Sequence, residues 1–366
     1  MKTVCFDARL LGPWGIGTYL ENLFPFLRKA PFRLQALVKP EDADRLKQEE
    51  GIEAIPMQGR IYSVAEQLKL PVMIPPCDLF WSPHYNIPLL PIRAAKRLVT
   101  IHDVYHLAYY STLTPLQKVY AKVGMQAAVR LSDYVITDSS FSKKELIRFT
   151  RIPEKKIQVI PLGVNLESFQ SKDQGDESLL AEYRLPKQFF LFVGHRPHKN
   201  LKGLLVAFDL LSKEGWGDLS LIVIGKRDHK GEAALDLVAR FPHLQQKVQF
   251  VGNVPREHLA AFYRKALALV FPSFYEGFGL PPLEAMSSGC PVVVSSSASL
   301  PEVCGNAALY VDPYSSADIA QKMEKMLKDS VLREELKVKG MNQSQTFSWT
   351  VCAEQHLKAM EILLNY

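Results

Sequence analysis

Cysteine is scarce in this chain of 366 residues. Cys5, Cys77, Cys290, Cys304 and Cys352 are odd in number and show no Cys-x-x-Cys spacing. That argues against a disulfide framework or a thiolate zinc site and suits a reducing cytosol. Long apolar runs are also missing: none approaches the roughly 20 residues needed to span a bilayer. Met1-Lys2 leads straight into the strand-like Thr3-Val4-Cys5-Phe6-Asp7, so no signal peptide is expected. There is no Gly-x-Ser-x-Gly and no His-Glu-x-x-His. Those absences remove a nucleophile elbow and a helical zinc-protease pair. The glycines of Gly12-Pro13-Trp14-Gly15-Ile16-Gly17 are spaced G-x-x-G-x-G, not G-x-G-x-x-G, so a dinucleotide reading loses its best support.

Acids are short in the first half only. Up to Asn165 there are 22 Lys+Arg against 15 Asp+Glu, or +7; the remainder holds 22 against 23, or −1. An ordinary solvated surface accounts for this, and so does attraction to an anionic membrane or acceptor. No basic run is interleaved with aromatics, so nucleic acid is not an expected partner.

What is present is an alternation of short apolar runs with helical stretches, the pattern of α/β folds with parallel sheets. Strands are expected at Thr3–Phe6, Leu34–Val38, Asp78–Ser82, Arg97–Ile101, Tyr134–Thr137 and Gln158–Ile160. The second half offers Phe189–Val193, Leu219–Ile224, Val248–Val251, Leu267–Phe271, Pro291–Val294 and Ala308–Val311. Helices are expected at Thr18–Arg28, Leu116–Leu131, Ser142–Phe149, Leu201–Leu211, Arg256–Lys265, Leu283–Ser287 and Ser316–Lys328. The length favours two domains, each a Rossmann-like sheet. The polar, aperiodic stretch from Ser171 to Ser178 reads as a linker, which separates residues 1–170 from 171–346. Residues 347–366 read as a long amphipathic helix.

The most informative stretch is Glu276-Gly277-Phe278-Gly279-Leu280-Pro281-Pro282-Leu283-Glu284. Proline suits the first position of a helix, where its missing N–H costs nothing. A helix is therefore expected to start near Pro281, with Gly277 to Leu280 as the turn into it and Glu284 in its first turn. A helix N-terminus binds anions through free amides and its dipole. Pro281 and Pro282 have no N–H, so a phosphate here is held by amides at or before Leu280. Glu284 alone reads as an ordinary N-terminal helix acid, and Glu276 alone as a solvated loop acid. Together, around this Gly/Pro frame, they point to a nucleotide-sugar site.

The run from Ser273 to Val293 resembles the signature of retaining glycosyltransferases of family 4, the glycogen-synthase-like group. The resemblance implies the GT-B fold: two doubly wound Rossmann-like α/β domains facing across a cleft, the terminal helix crossing back onto the first. It implies an acceptor domain at 1–170 with 347–366, and a donor domain at 171–346. Glu276 is then expected beside the donor hexose and Glu284 on the ribose hydroxyls. Gly15 and Gly17 are expected near the donor phosphates, although their spacing alone fits a tight strand–helix turn. His102, in Ile101-His102-Asp103, matches a family histidine near the donor sugar, and Asp103 follows with less weight. Lys199 matches a lysine that pairs with the donor diphosphate; its companion arginine is Arg196 from a shifted position, or else His195 or His198 stands there. Val254 is expected to meet the base through its backbone, and Glu302 reads as structural.

The resemblance thus implies transfer of a hexose from a nucleotide diphosphate-sugar to a glycan or lipid-linked acceptor. No cofactor and no metal are expected, since Arg196, Lys199, the helix end and the glycine loop would supply the positive field. Within the family the chain looks most like bacterial polysaccharide mannosyltransferases, which makes GDP-mannose the first choice of donor. A cytoplasmic protein, peripheral on an anionic membrane, is expected. A nucleotide-sugar binding protein without catalysis and a GT-B-fold epimerase are the alternatives.

Overall fold

Two all-parallel sheets organise the chain in the computed structural model, which describes every residue except 13–14, 50, 171–175, 195, 214, 226–237, 240–241 and 366. The chain divides into two units, Met1–Gly163 with Ser348–Tyr366, and Val164–Phe347.

The first unit holds β1 (Lys2–Asp7), β2 (Phe32–Val38), β3 (Glu53–Pro56), β4 (Cys77–Ser82), β5 (Ala94–Thr100), β6 (Tyr134–Thr137) and β7 (Ile157–Val159). Their spatial order is β3-β2-β1-β4-β5-β6-β7. The inner strands read as unbroken apolar runs because helices cover both faces of a parallel sheet. Val4, Phe6, Phe80, Trp81 and Val99 are fully buried or nearly so. Each such side chain contributes about 1.5–3 kcal/mol by leaving water. The returning helix Trp349–Leu364 is capped by Ser348 and buries Cys352, His356 and Met360 in this unit. An added Cβ at Gly163 would stand 2.2 Å from the Trp349 amide nitrogen, so only glycine lets the chain pass there.

The second unit holds β8 (Gln188–Val193), β9 (Leu219–Ile224), β10 (Val248–Gly252), β11 (Ala268–Phe271), β12 (Val292–Ser295) and β13 (Ala308–Val311). Their order among the described residues is β10-β9-β8-β11-β12-β13. Phe190, Phe192, Val270 and Val293 meet Leu204 and Phe208 of the helix Leu201–Ser212 and Met323 of the helix Ser316–Lys328 in one core.

Three expectations are corrected. Of the expected linker, residues 171–175 lie outside the described residues, but Asp176–Glu182 is helical. Arg264 anchors its first residue: its Nη2 and Nε each bind Asp176 at 2.6 Å, and its Nη1 reaches the Phe169 carbonyl at 3.3 Å. Those bonds also place the segment from Val164 to Gln170 in the second unit. The helix expected near Pro281 starts at Leu280, with Gly279 as its cap, so Glu284 stands in its second turn rather than its first. β3 and the helices Ala43–Glu49, Val64–Met73 and Ser330–Ser344 were not anticipated.

Candidate active site

In open α/β sheets, ligands bind beyond the carboxyl ends of the strands, where the strand order reverses. In the second unit that point lies between β8 and β11. The loop after β8 carries Lys199 and the loop after β11 carries Glu276. Lys199 Nζ lies 3.1 Å from Glu276 Oε1, both side chains being largely buried. Gly194, at φ +139°, makes this possible: an added Cβ would stand 2.3 Å from Lys199 Cδ. The ammonium also lies 4.5 Å from the centre of the Phe271 ring, a cation–π contact. Ser273 Oγ donates to Glu276 Oε1 at 2.7 Å. Ser299 Oγ reaches the carbonyls of Glu276 at 2.9 Å and Phe278 at 2.6 Å, which fixes the loop backbone. Asn200 adopts the left-handed conformation, caps the helix Leu201–Ser212, and donates to the carbonyls of Pro272 at 3.1 Å and Pro313 at 2.7 Å. The ends of β8, β11 and β13 are thereby tied together.

Gly277, Phe278 and Gly279 form the turn into the helix Leu280–Ser287. Gly279 takes φ +120°, and a Cβ there would stand 2.7 Å from Leu300 Cδ2. The amides that open a helix have no acceptor within it, which leaves the start at Gly279 and Leu280 without helical partners for these N–H groups. Glu284 is buried on the same helix. Tyr263 Oη donates to its Oε2 at 3.2 Å, and Arg256 Nη2 lies 4.0 Å from its Oε1. Burial pushes its carboxyl up to about 6, against the pull of Arg256, Tyr263 and Lys199. Val254 is buried two residues before Arg256, in the loop after β10. Arg196 is exposed and forms no ion pair among the described residues. The structure therefore gathers Lys199, Glu276 and Glu284 but not the Arg196 side chain, and His195 lies outside the described residues.

In the first unit the order reverses between β1 and β4. His102 follows β5. Its Nδ1 lies 2.7 Å from Asp138 Oδ2, and its Nε2 lies 3.1 Å from the Pro83 carbonyl. Both nitrogens face acceptors, so the imidazolium satisfies both. Burial alone would lower this pKa, but the Asp138 carboxylate holds it above its ordinary value. Burial in turn raises the Asp138 carboxyl, against the opposing pull of His102. The pair titrates as a unit. The Tyr19 ring meets His102 edge-on at 4.9 Å, and Tyr19 Oη lies 2.5 Å from His356 Nε2. Asp103 instead accepts from the Tyr105 amide at 2.8 Å, which makes it a turn residue. Gly15 caps the helix Ile16–Leu27 at φ +58°. Gly17 lies inside that helix, where an added Cβ would stand 2.0 Å from the Gly12 carbonyl oxygen. Close backbone packing accounts for glycine there.

Sequence reasoning missed Asp138, Arg256, Tyr263, Ser273 and Ser299. Asp138 had a signal, since it is an acid directly after an expected strand. Ser273 stands in the quoted run itself, three residues before Glu276, whereas Arg256, Tyr263 and Ser299 reach the site from elements that only tertiary packing brings together.

Residues 14–168 match the family model described as Glycosyltransferase Family 4, and residues 181–343 match that described as Glycosyl transferases group 1. The O-antigen chain mannosyltransferase B of Escherichia coli is 34% identical over 277 residues, which is 75% of this chain and 72% of that protein. The O-antigen chain mannosyltransferase RfbU of Salmonella typhimurium is 32% identical over 261 residues, 70% and 67% of the two chains. Among solved structures, the sucrose-phosphate synthase of Thermosynechococcus elongatus aligns over 100% of both chains, with a TM-score of 0.81 at 21% identity. That last likeness is one of fold.

Proposed function

This chain belongs to the group 1 glycosyltransferases and is a glycosyltransferase of GT-B fold, and from that premise we propose that it moves mannose from GDP-mannose to a lipid-linked glycan during polysaccharide assembly. The single observation that carries the reading is the Lys199–Glu276 pair at the strand-order reversal, beside a helix start with free amides. The choice of sugar draws support from the names of the two O-antigen relatives.

The site chemistry follows from charge. A diphosphate arriving at Gly279 and Leu280 meets their amides and the ammonium of Lys199. Arg196, exposed on the loop after β8, is free to swing onto the same group. Glu284 accepts from the ribose hydroxyls and Glu276 from the hexose. As the bond from the anomeric carbon to the phosphate oxygen breaks, negative charge grows on the diphosphate. A positioned cation there is typically worth about 2.7–4 kcal/mol of barrier. The departing phosphate oxygen takes the acceptor hydroxyl's proton, and the new bond forms on the face the phosphate leaves, so configuration is retained. Lys199 supplies the charge that a divalent ion supplies elsewhere. Among the described residues no three His, Cys, Asp or Glu side chains converge to hold a metal ion. Transfer takes place on the cytoplasmic side, at the membrane surface that presents the acceptor. Among the described residues no helix is long and apolar enough to cross a membrane.

The test is a thermal-shift screen against GDP, UDP, ADP and TDP sugars, followed by product analysis. A specific ligand at a hundredfold excess over its Kd stabilises by about 2.7 kcal/mol. Selective stabilisation by GDP-mannose and an α-linked mannosyl product are expected. Preference for another donor would overturn the sugar assignment. A free epimer, or no product, would overturn transfer.

A further inference from the structure

Two helices of the first unit turn apolar side chains away from the core. Pro115–Leu131 buries Ala121, Gly124, Met125, Ala128 and Val129 on one side. On the opposite side it exposes Leu116, Val119 and Val123, which recur at the helical period. Val64–Met73 buries Glu66 and Leu70, yet exposes Val64, Leu68 and Val72. The six side chains are 52% (Val123) to 80% (Leu116 and Val64) exposed. The two helices flank one apolar pocket of about 170 Å³, lined by Gln67, Ile87, Leu89, Val119, Tyr120 and Val123 among others. Exposed apolar stripes on two helices that share a pocket mark an interaction surface.

Charge identifies the partner. Pro115–Leu131 carries Lys118, Lys122 and Arg130 and no acid. Val64–Met73 carries an exposed Lys69, while its acid, Glu66, is buried against Arg9 at 2.7 Å. From residue 79 to 132 the one acid is Asp103, against Arg93, Lys96, Arg97, Lys118, Lys122 and Arg130. Apolar stripes beside cations, with acids absent or neutralised, suit the boundary between headgroups and acyl chains of an anionic leaflet.

We infer that this face of the first unit docks onto an anionic phospholipid bilayer. Leu68, Val119 and Val123 enter the acyl boundary, the lysines remain among the headgroups, and the pocket admits hydrocarbon. This deepens the membrane part of the proposed function and rests on that part alone; it needs neither the donor nor the sugar assignment.

The test is flotation of the full chain with vesicles of phosphatidylcholine alone or with one quarter phosphatidylglycerol. Wild type floats with the anionic vesicles and far less with the neutral ones. The triple variant Leu68→Asp/Val119→Asp/Val123→Asp and the double variant Lys118→Glu/Lys122→Glu each lose about tenfold or more of that binding. Both keep the wild-type circular dichroism and the wild-type thermal shift with GDP. Wild type that stays off anionic vesicles, or a triple variant that floats like wild type, overturns the inference. So does a lipid-free dimer that the triple variant dissociates, since the occupant is then a second copy. Absence of any GDP shift would instead count against the transferase reading and leave docking standing.

Discussion

Lys199 and Glu276 are 77 residues apart in sequence and 3.1 Å apart in the fold, one after each of the two strands between which the second sheet reverses its order. Each neutralises the other in a largely buried setting, where an unpaired charge is costly. The pair is therefore a structural tie, and the proposed function gives its lysine a second role, toward the diphosphate.

Lys199→Ala separates these roles. Transfer from GDP-mannose is expected to fall about 10²–10³-fold in kcat, the usual loss of one charge-stabilising donor. Far-ultraviolet circular dichroism should remain native, because Asn200 still donates to the Pro272 carbonyl and the Phe274 amide to the His198 carbonyl at 2.8 Å. Lys199→Arg should recover part of the rate. Turnover within a few fold of wild type in the alanine variant would remove Lys199 from the mechanism.

Glu284 makes a pH prediction with two opposite signs. Burial raises its carboxyl to about 6, above the roughly 4.3 of an unfolded chain. The folded state therefore holds this proton to higher pH, and the stability it contributes is lost as pH climbs from about 4.3 to about 6. The loss is about 2 kcal/mol. Nucleotide binding should run the other way. Only the carboxylate can accept from two ribose hydroxyls, so Kd should fall as pH rises through about 6. Glu284→Gln should flatten both profiles, read by thermal melts and nucleotide titrations across pH 4 to 8. A wild-type Kd that is level through this range would show that Glu284 does not bind the ribose.

How far these features were legible depends on the range of the interactions behind them. Runs such as Phe189–Val193 and Leu219–Ile224 announce buried parallel strands because both faces are covered, and they lie within a residue or two of β8 and β9. β3, Glu53–Pro56, is a half-polar edge strand with little apolar signal. The helix Val64–Met73 was hidden by Pro71 and by apolar residues that face outward, although Ser63-x-x-Glu66 is a capping box. The helix at Leu280 starts before its prolines because Gly279 supplies the cap at a φ closed to other residues. Near the site, Gly277 to Glu284 could be read from local spacing. Arg256 and Tyr263 could not, because their contact with Glu284 depends on how one helix packs on another.

Gly17 offers a packing test. Its missing Cβ leaves the space that the Gly12 carbonyl occupies. Gly17→Ala forces the backbone of the loop or the helix to shift. Overpacking of this kind costs about 1–3 kcal/mol. A lower melting temperature is expected, with weaker transfer if the loop meets the donor. An unchanged melting temperature would mean that the loop relaxes freely and that close packing does not explain this glycine.

His102 and Asp138 give the last prediction. With both imidazole nitrogens on acceptors, the charged ring is the satisfied form, and its folded pKa is raised above the unfolded value. A group raised in this way contributes its full stability below the unfolded pKa, roughly 6.5, and loses it as pH rises through the folded one. Asp138→Asn removes the carboxylate that opposes burial, so the ring should become neutral at lower pH. The variant should then be less stable than wild type in acid, and the gap should narrow above the folded pKa of wild type. Proton chemical shifts of the His102 ring read the titration directly, and melts across pH read its consequence. If the ring titrates at the same pH in both proteins, the Asp138 carboxylate is not what holds the charge on His102. The ring would then have to be held by the Pro83 carbonyl.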